Sequence, residues 1–206
     1  KITFLDEFSR VQQEYYEKLS LEGDKTVVHK INVDGLDIDY KGSGEVPGHA
    51  LNQFSMDEHE KYFRIATTSG EFWSSESVNN LYVLDGDLKI VGSVEGLAEG
   101  ERIYSTRFMD DRAYVVTFRQ VDPLFVIDLE NPENPKVLGY LKVTGYSGYL
   151  HPYDENHIIG VGQEATVEGR VQGVKISLFD VSDVSQPREI GKYEVTEGRY
   201  SYSDAI

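Results

Sequence analysis

Hydrophobic positions in the middle of the chain fall in short blocks. Residues 112–118 (RAYVVTF) and 123–129 (PLFVIDL) are apolar runs rich in β-branched and aromatic side chains. Asp110-Asp111 precedes the first, and Gln120-Val121-Asp122 divides the two as a turn does. A third run begins near Lys136, so residues 107–139 read as three strands of one unit. Neither of the first two runs alternates cleanly between apolar and polar, as a sheet wetted on one face would. Both faces of this sheet are therefore expected to be covered, which makes the unit one layer in a stack.

The pattern recurs. Adding 52 to the numbers of 126–144 lands on 178–196 without a gap, pairing Val126 with Leu178, Asp128 with Asp180, Pro135 with Pro187, Lys136 with Arg188, Gly139 with Gly191 and Val143 with Val195. The same ending returns as NLYVLDGDLKIVGSV around Asp85 and Gly92, and more faintly as VVHKINVDGLDIDYKGSG around Asn32 and Gly42. The glycines at 42, 92, 139 and 191 are spaced by 50, 47 and 52 residues. The opening of the unit also repeats, as Met56-Asp57, Met109-Asp110 and Tyr153-Asp154, each before an apolar strand. A helix-free period near 50 is the signature of propeller blades, each a four-stranded sheet that cannot bury its faces alone. The expected fold class is all-β: a partial β-propeller of about three complete four-stranded blades plus flanking strands. The blades are expected at 52–103, 104–147 and 148–201, within a propeller region spanning 26–206. Incomplete pieces flank them, a hairpin of 26–33 and 36–42 around Asp34-Gly35 and the opening of a further unit at 202–206.

Residues 1–25 differ. Phe4, Phe8, Val11, Tyr15 and Leu19 form one stripe on a 3.6-residue period, with Asp6, Glu7, Arg10, Gln13, Glu14 and Glu17 largely off it. The spacing predicts one amphipathic helix over 3–19, capped by Thr3 and stopped near Gly23, that packs on the propeller rim or on a foreign protein.

Four stretches carry a family resemblance: NQFSMDEHEKYFRIATTS, ERIYSTRFMDDRAYVVTFRQVDPLFVIDLENPENPKVLG, GYLHPYDENHIIGVGQE and VKISLFDVSDVSQPREIG. Over 27–206 the chain resembles the secreted archaeal and bacterial proteins with a C-terminal β-propeller domain distantly related to the WD repeat. The resemblance implies a propeller fold and a secreted or cell-surface location. It brings no catalytic motif.

Composition narrows the function classes. Thirty-six acidic against twenty basic residues give a net charge of −16, scattered through strands and turns. Such a surface favours solubility and repels phosphate backbones and anionic membranes, so nucleic acid is not an expected partner. With no cysteine, neither a disulfide framework nor a thiolate metal site can form. No apolar run has the length of a membrane span, so membrane insertion is not expected, and no segment reads as a signal peptide. The start at Lys1 rather than Met reads as a mature or trimmed product of a larger protein.

Candidate chemistry is sparse, and each candidate has a plainer reading. His151, Asp154 and His157 put two imidazoles and a carboxylate in seven residues, a possible metal group or simply a blade-connecting turn. Asp34, Asp37 and Asp39 offer oxygens to calcium or are solvated hairpin residues. Asp85, Asp128 and Asp180 form either a ring of carboxylates or, more simply, acceptors for the backbone of the turn that follows each. No G-x-S-x-G, H-E-x-x-H or glycine-rich phosphate loop occurs, and the sequence implies no cofactor.

Two functions follow from different classes. One is a noncatalytic binding or assembly module presenting irregular loops, above all 69–79 with Phe72 and Trp73, to a protein or glycan. The other is a hydrolase or lyase using channel carboxylates with His151 or His157, with a divalent cation as a possible aid. An arc of three and a half blades also leaves open sheet faces, so self-association is expected.

Overall fold

In the computed structural model of the chain the described residues are 10–12, 23–70, 76–119, 122–166 and 170–195. Residues 10–12 are helical; the rest of the expected helix 3–19 and the opening unit at 202–206 lie outside the described residues.

The hairpin of β1 (Lys25–Asp34) and β2 (Asp37–Pro47) comes first, turning at Gly35-Leu36. Three four-stranded antiparallel sheets follow in chain order. The first holds β3 (Met56–His59), β4 (Tyr62–Ser69), β5 (Val78–Leu84) and β6 (Ile90–Leu97). The second holds β7 (Arg102–Met109), β8 (Arg112–Phe118), β9 (Asp122–Asp128) and β10 (Lys136–Val143). The third holds β11 (Tyr146–Asp154), β12 (His157–Ala165), β13 (Val171–Asp180) and β14 (Arg188–Val195). Each sheet is a simple meander, and together they form a partial, open β-propeller. The first strand of each sheet is the inner one, since β7 lies against both β11 and the 3-10 turn Gln53–Ser55 that leads into β3.

Three seams hold the arc together. On β8, Ala113 and Val115 point to the first sheet and join Ala66, Leu81 and Val83, while Tyr114 and Val116 point to the third and join Leu150, Ile158 and Phe179. Successive strand residues face opposite sides, so a strand covered on both faces must be apolar throughout, which is why 112–118 shows no alternation. The hairpin packs on the first sheet through Val28 and Val46 against Ile65, Tyr82 and Leu84. Burying each large aliphatic side chain here is worth about 1.5–3 kcal/mol.

The repeat survives into register. Val126 pairs with Gly139 and Leu124 with Leu141 in the second sheet; 52 residues on, Leu178 pairs with Gly191 and Ile176 with Tyr193 in the third. The glycines have one task. A Cβ on Gly92 would overlap the carbonyl oxygen of Pro132 and the ring of Pro135, and one on Gly139 would overlap the carbonyl oxygens of Val184 and Ser185. The outer strands of the first and second sheets thus let the next sheet's turn approach their backbone. In the hairpin that residue is Gly44, against Leu88, and not Gly42: a bulge in the β1–β2 register puts Gly42 at φ 142° with nothing near it. A basic residue stands three positions before each seam glycine, at Lys41, Lys89, Lys136 and Arg188.

The acidic residues at the strand ends serve the turns. Asp85 Oδ1 accepts the backbone N–H groups of Asp87 and Lys89, Asp128 Oδ1 that of Glu130 at 3.0 Å, and Asp180 Oδ1 that of Ser182 at 3.0 Å. The residue type repeats because the turn repeats.

Candidate functional site

The sequence candidates separate in space. Asp154 and His157 meet across the β11–β12 turn, His157 Nδ1 lying 2.8 Å from Asp154 Oδ1. The same carboxylate accepts the Asn156 N–H at 2.8 Å. That backbone bond, followed by the imidazole, holds the Asp154 carboxyl below the usual aspartate range. His151, opposite Ile159 in the register, contacts the Tyr149 hydroxyl at 3.2 Å instead. Among the described residues no three His, Asp or Glu side chains are grouped so that they could hold a metal ion. On the hairpin, Asp39 is paired with Lys41, and Asp34 and Asp37 flank the turn.

Where the inner strands converge, an aromatic and cationic cluster forms from residues that no local pattern singles out. The Arg107 guanidinium lies 4.4 Å from the centre of the Phe54 ring and 5.2 Å from that of Tyr149, and its Nε donates to the Leu150 carbonyl at 2.8 Å. The two rings meet edge to face at 5.5 Å. Three successive units contribute to this cluster, which ties the hub together by cation–π and hydrogen-bond contacts.

Phe72 and Trp73 lie outside the described residues. The residues on either side of that segment, Gly70 and Ser77, line a cavity of about 550 Å³ between the base of the hairpin and the first two sheets. Its polar wall is built from fixed groups. Asp24 accepts the Gly70 N–H at 2.6 Å and pairs with His49 Nε2 at 2.9 Å, tying the start of the hairpin to the end of β4. Gly48, at φ 80°, makes the turn that brings His49 beside Thr68. Thr68 in turn donates to Asn79 and accepts the Ile103 N–H. The buried Asn79 side chain donates to the Leu97 carbonyl at 3.0 Å and the Glu101 carbonyl at 3.2 Å, so the cavity floor is locked to the link between the first two sheets. Ala50, Leu51 and Ile103 supply the apolar part. A concave surface of this volume, apolar with a few fixed polar groups, suits a binding site. Its imidazole stays largely open to solvent. The sequence signal for it was slight: a Pro47-Gly48-His49 turn and a long polar stretch on the far side of β4.

The fold and its repeat have a counterpart among known proteins. The family model for the beta propeller domain matches residues 8–206. This chain belongs to that family. The propeller is 47% identical over 191 residues to an uncharacterized protein of Methanocaldococcus jannaschii, covering 92% of this chain and 29% of that one. It is 44% identical over 197 residues to an uncharacterized protein of Archaeoglobus fulgidus, covering 96% and 30%. The propeller chain thus spans about three tenths of the length of these curated relatives.

Proposed function

We propose that this propeller segment is a noncatalytic binding and assembly module of a secreted or cell-surface protein. Its contact region is the 69–79 stretch with Phe72 and Trp73, together with the cavity at its root, and its ligand is a protein or glycan. The observation that carries this reading is the cavity itself: Thr68 on β4 and Asp24, His49 and Ser77 beside strand ends surround an apolar patch, and aromatic residues stand in the sequence between two of its lining residues. Aromatic side chains supply large contact area at low entropic cost. The location follows the family resemblance. No helix among the described residues is long and apolar enough to cross a membrane. A hydrolase or lyase acting through channel carboxylates with His151 and His157 is the alternative, and no grouping among the described residues favours it.

The test uses Trp73, the only tryptophan in the chain. The expected result is emission that acrylamide quenches readily and that shifts on binding from a glycan array or peptide library, the binding being lost in Trp73→Ala and weakened in His49→Ala. Emission of a fully buried indole, unquenched and unchanged by every array-selected ligand, would remove the reading.

A further inference from the structure

Two Asp-Gly pairs stand in the chain, Asp34-Gly35 and Asp85-Gly86. Glycine after aspartate opens the way to one reaction, because with no Cβ on the following residue its backbone nitrogen can reach the aspartyl carboxyl carbon. The two pairs share this local chemistry, and the fold treats them oppositely.

Asp85 is held on every side. Its Oδ1 accepts the N–H groups of Asp87 at 2.9 Å and Lys89 at 3.0 Å, its own N–H donates to the Lys89 carbonyl, and its carbonyl accepts the Leu88 N–H. The Gly86 carbonyl accepts Lys30 Nζ of the hairpin at 2.9 Å, and Leu84 and Leu88 are buried in the seam between the hairpin and the first sheet. Bringing this carboxyl onto the Gly86 nitrogen means breaking the turn and loosening that seam. Asp34 has no such hold. It ends the β1–β2 ladder opposite Asp37, every residue of 31–40 is exposed, and no described residue bonds its carboxylate. Gly35 sits in the turn at φ 61° with nothing within 4 Å of the place its Cβ would take. A two-stranded ribbon is marginally stable in water, so its tip opens at little cost.

We propose that Asp34 is a site of spontaneous isomerisation to isoaspartate, and that the fold spares Asp85. The Gly35 nitrogen attacks Asp34 Cγ, its proton leaves with the carboxyl hydroxyl as water, and a succinimide ring closes. Water then adds to one of the two ring carbonyls. Opening at the side-chain carbonyl restores aspartate; opening at the main-chain carbonyl leaves isoaspartate, with the chain running on through Cβ and Cγ. One water leaves and one is taken up, and nothing is oxidised or reduced. The product carries one more main-chain atom beside the last pair of the ladder, so the two-residue turn no longer matches the Asp34–Asp37 pairing and the tip frays. None of this depends on what fills the cavity.

The test incubates the wild-type chain at neutral pH, once folded and once in urea, and measures isoaspartate at each position by proteolysis and electron-transfer fragmentation. In urea the two pairs are expected to isomerise alike, since glycine follows both aspartates. In the folded chain isoaspartate is expected to build up at Asp34 and to lag at Asp85 by roughly tenfold or more, the difference in local opening. Asp34→Glu, whose longer side chain would have to close a larger ring, is expected to remove the product at that position; the side chain is exposed, so the fold is kept. Equal accumulation at the two positions in the folded chain overturns the proposal. So does a folded chain in which Asp34 is as inert as Asp85, or a main isoaspartate signal that survives Asp34→Glu.

Discussion

The outer faces of the second and third sheets are the same surface in two settings. Their strands share register, glycine position and side-chain class across the 52-residue offset. In the second sheet Leu124 is 1% exposed and Val126 is fully buried, because the third sheet lies on them; in the third, Ile176 and Tyr193 face outward. Burial in this fold is thus a property of the neighbour and not of the strand. An apolar side chain at one repeat position is core or interaction surface according to whether another layer follows.

The largest effect that separates the faces is truncation of a matched pair. Leu124→Ala removes a side chain from a filled seam and is expected to cost about 2–5 kcal/mol. The matched change Ile176→Ala, on an open face, is expected to stay within about 1 kcal/mol. Urea unfolding of the two variants at low protein concentration reads the difference. Equal losses would mean that the third face is already covered in the monomer. Somewhat smaller is Gly139→Ala. The added methyl overlaps the Val184 and Ser185 carbonyls, backbone atoms that cannot turn aside, so the second and third sheets must part locally at about 1–3 kcal/mol. A shift of the urea midpoint without a change in slope is expected; no shift would show that the seam is looser than its geometry.

Much of this was legible from the residues alone. The strand-end aspartates, the hairpin at Asp34-Gly35 and the sheet repeat could be read because turn chemistry and a both-faces-apolar strand leave a local mark. The seam glycine of the hairpin was misplaced by two residues, since the bulge that moves the role to Gly44 is set by pairing and has no local signature. The cavity was hidden for a related reason. Asp24, His49, Thr68 and Ile103 are distant in sequence and meet only once the hairpin base docks on the first sheet. Asn79 fell inside a stretch read as loop, but it is the second residue of β5 and is fully buried, its side chain satisfied by hydrogen bonds with Thr68, Leu97, Ala98 and Glu101.

Acid should sharpen the contrast by a smaller effect. Asp180 is held down at about 2, first by the Ser182 side chain and backbone and then by Arg188; Asp183 is lowered by Ser185, and Asp154 by Asn156 and His157. All three belong to the third sheet and its turns. An aspartate in the unfolded chain takes up its proton near about 3.9. These groups therefore stabilise the fold above that value, and their contribution is lost as the pH falls from about 4 towards about 2. Hydrogen exchange across that window is expected to show protection fading in β12–β14 before β8 and β9. Loss that begins in β8 and β9 would contradict this assignment.

That the third sheet carries a seam surface with no cover among the described residues is tested most directly by Gly191→Ala. Its methyl meets only Leu178 Cβ at 3.7 Å, an ordinary contact, so the urea midpoint of the dilute monomer is expected to match the wild-type chain within about 0.5 kcal/mol. A variant that unfolds as readily as Gly139→Ala would contradict the account.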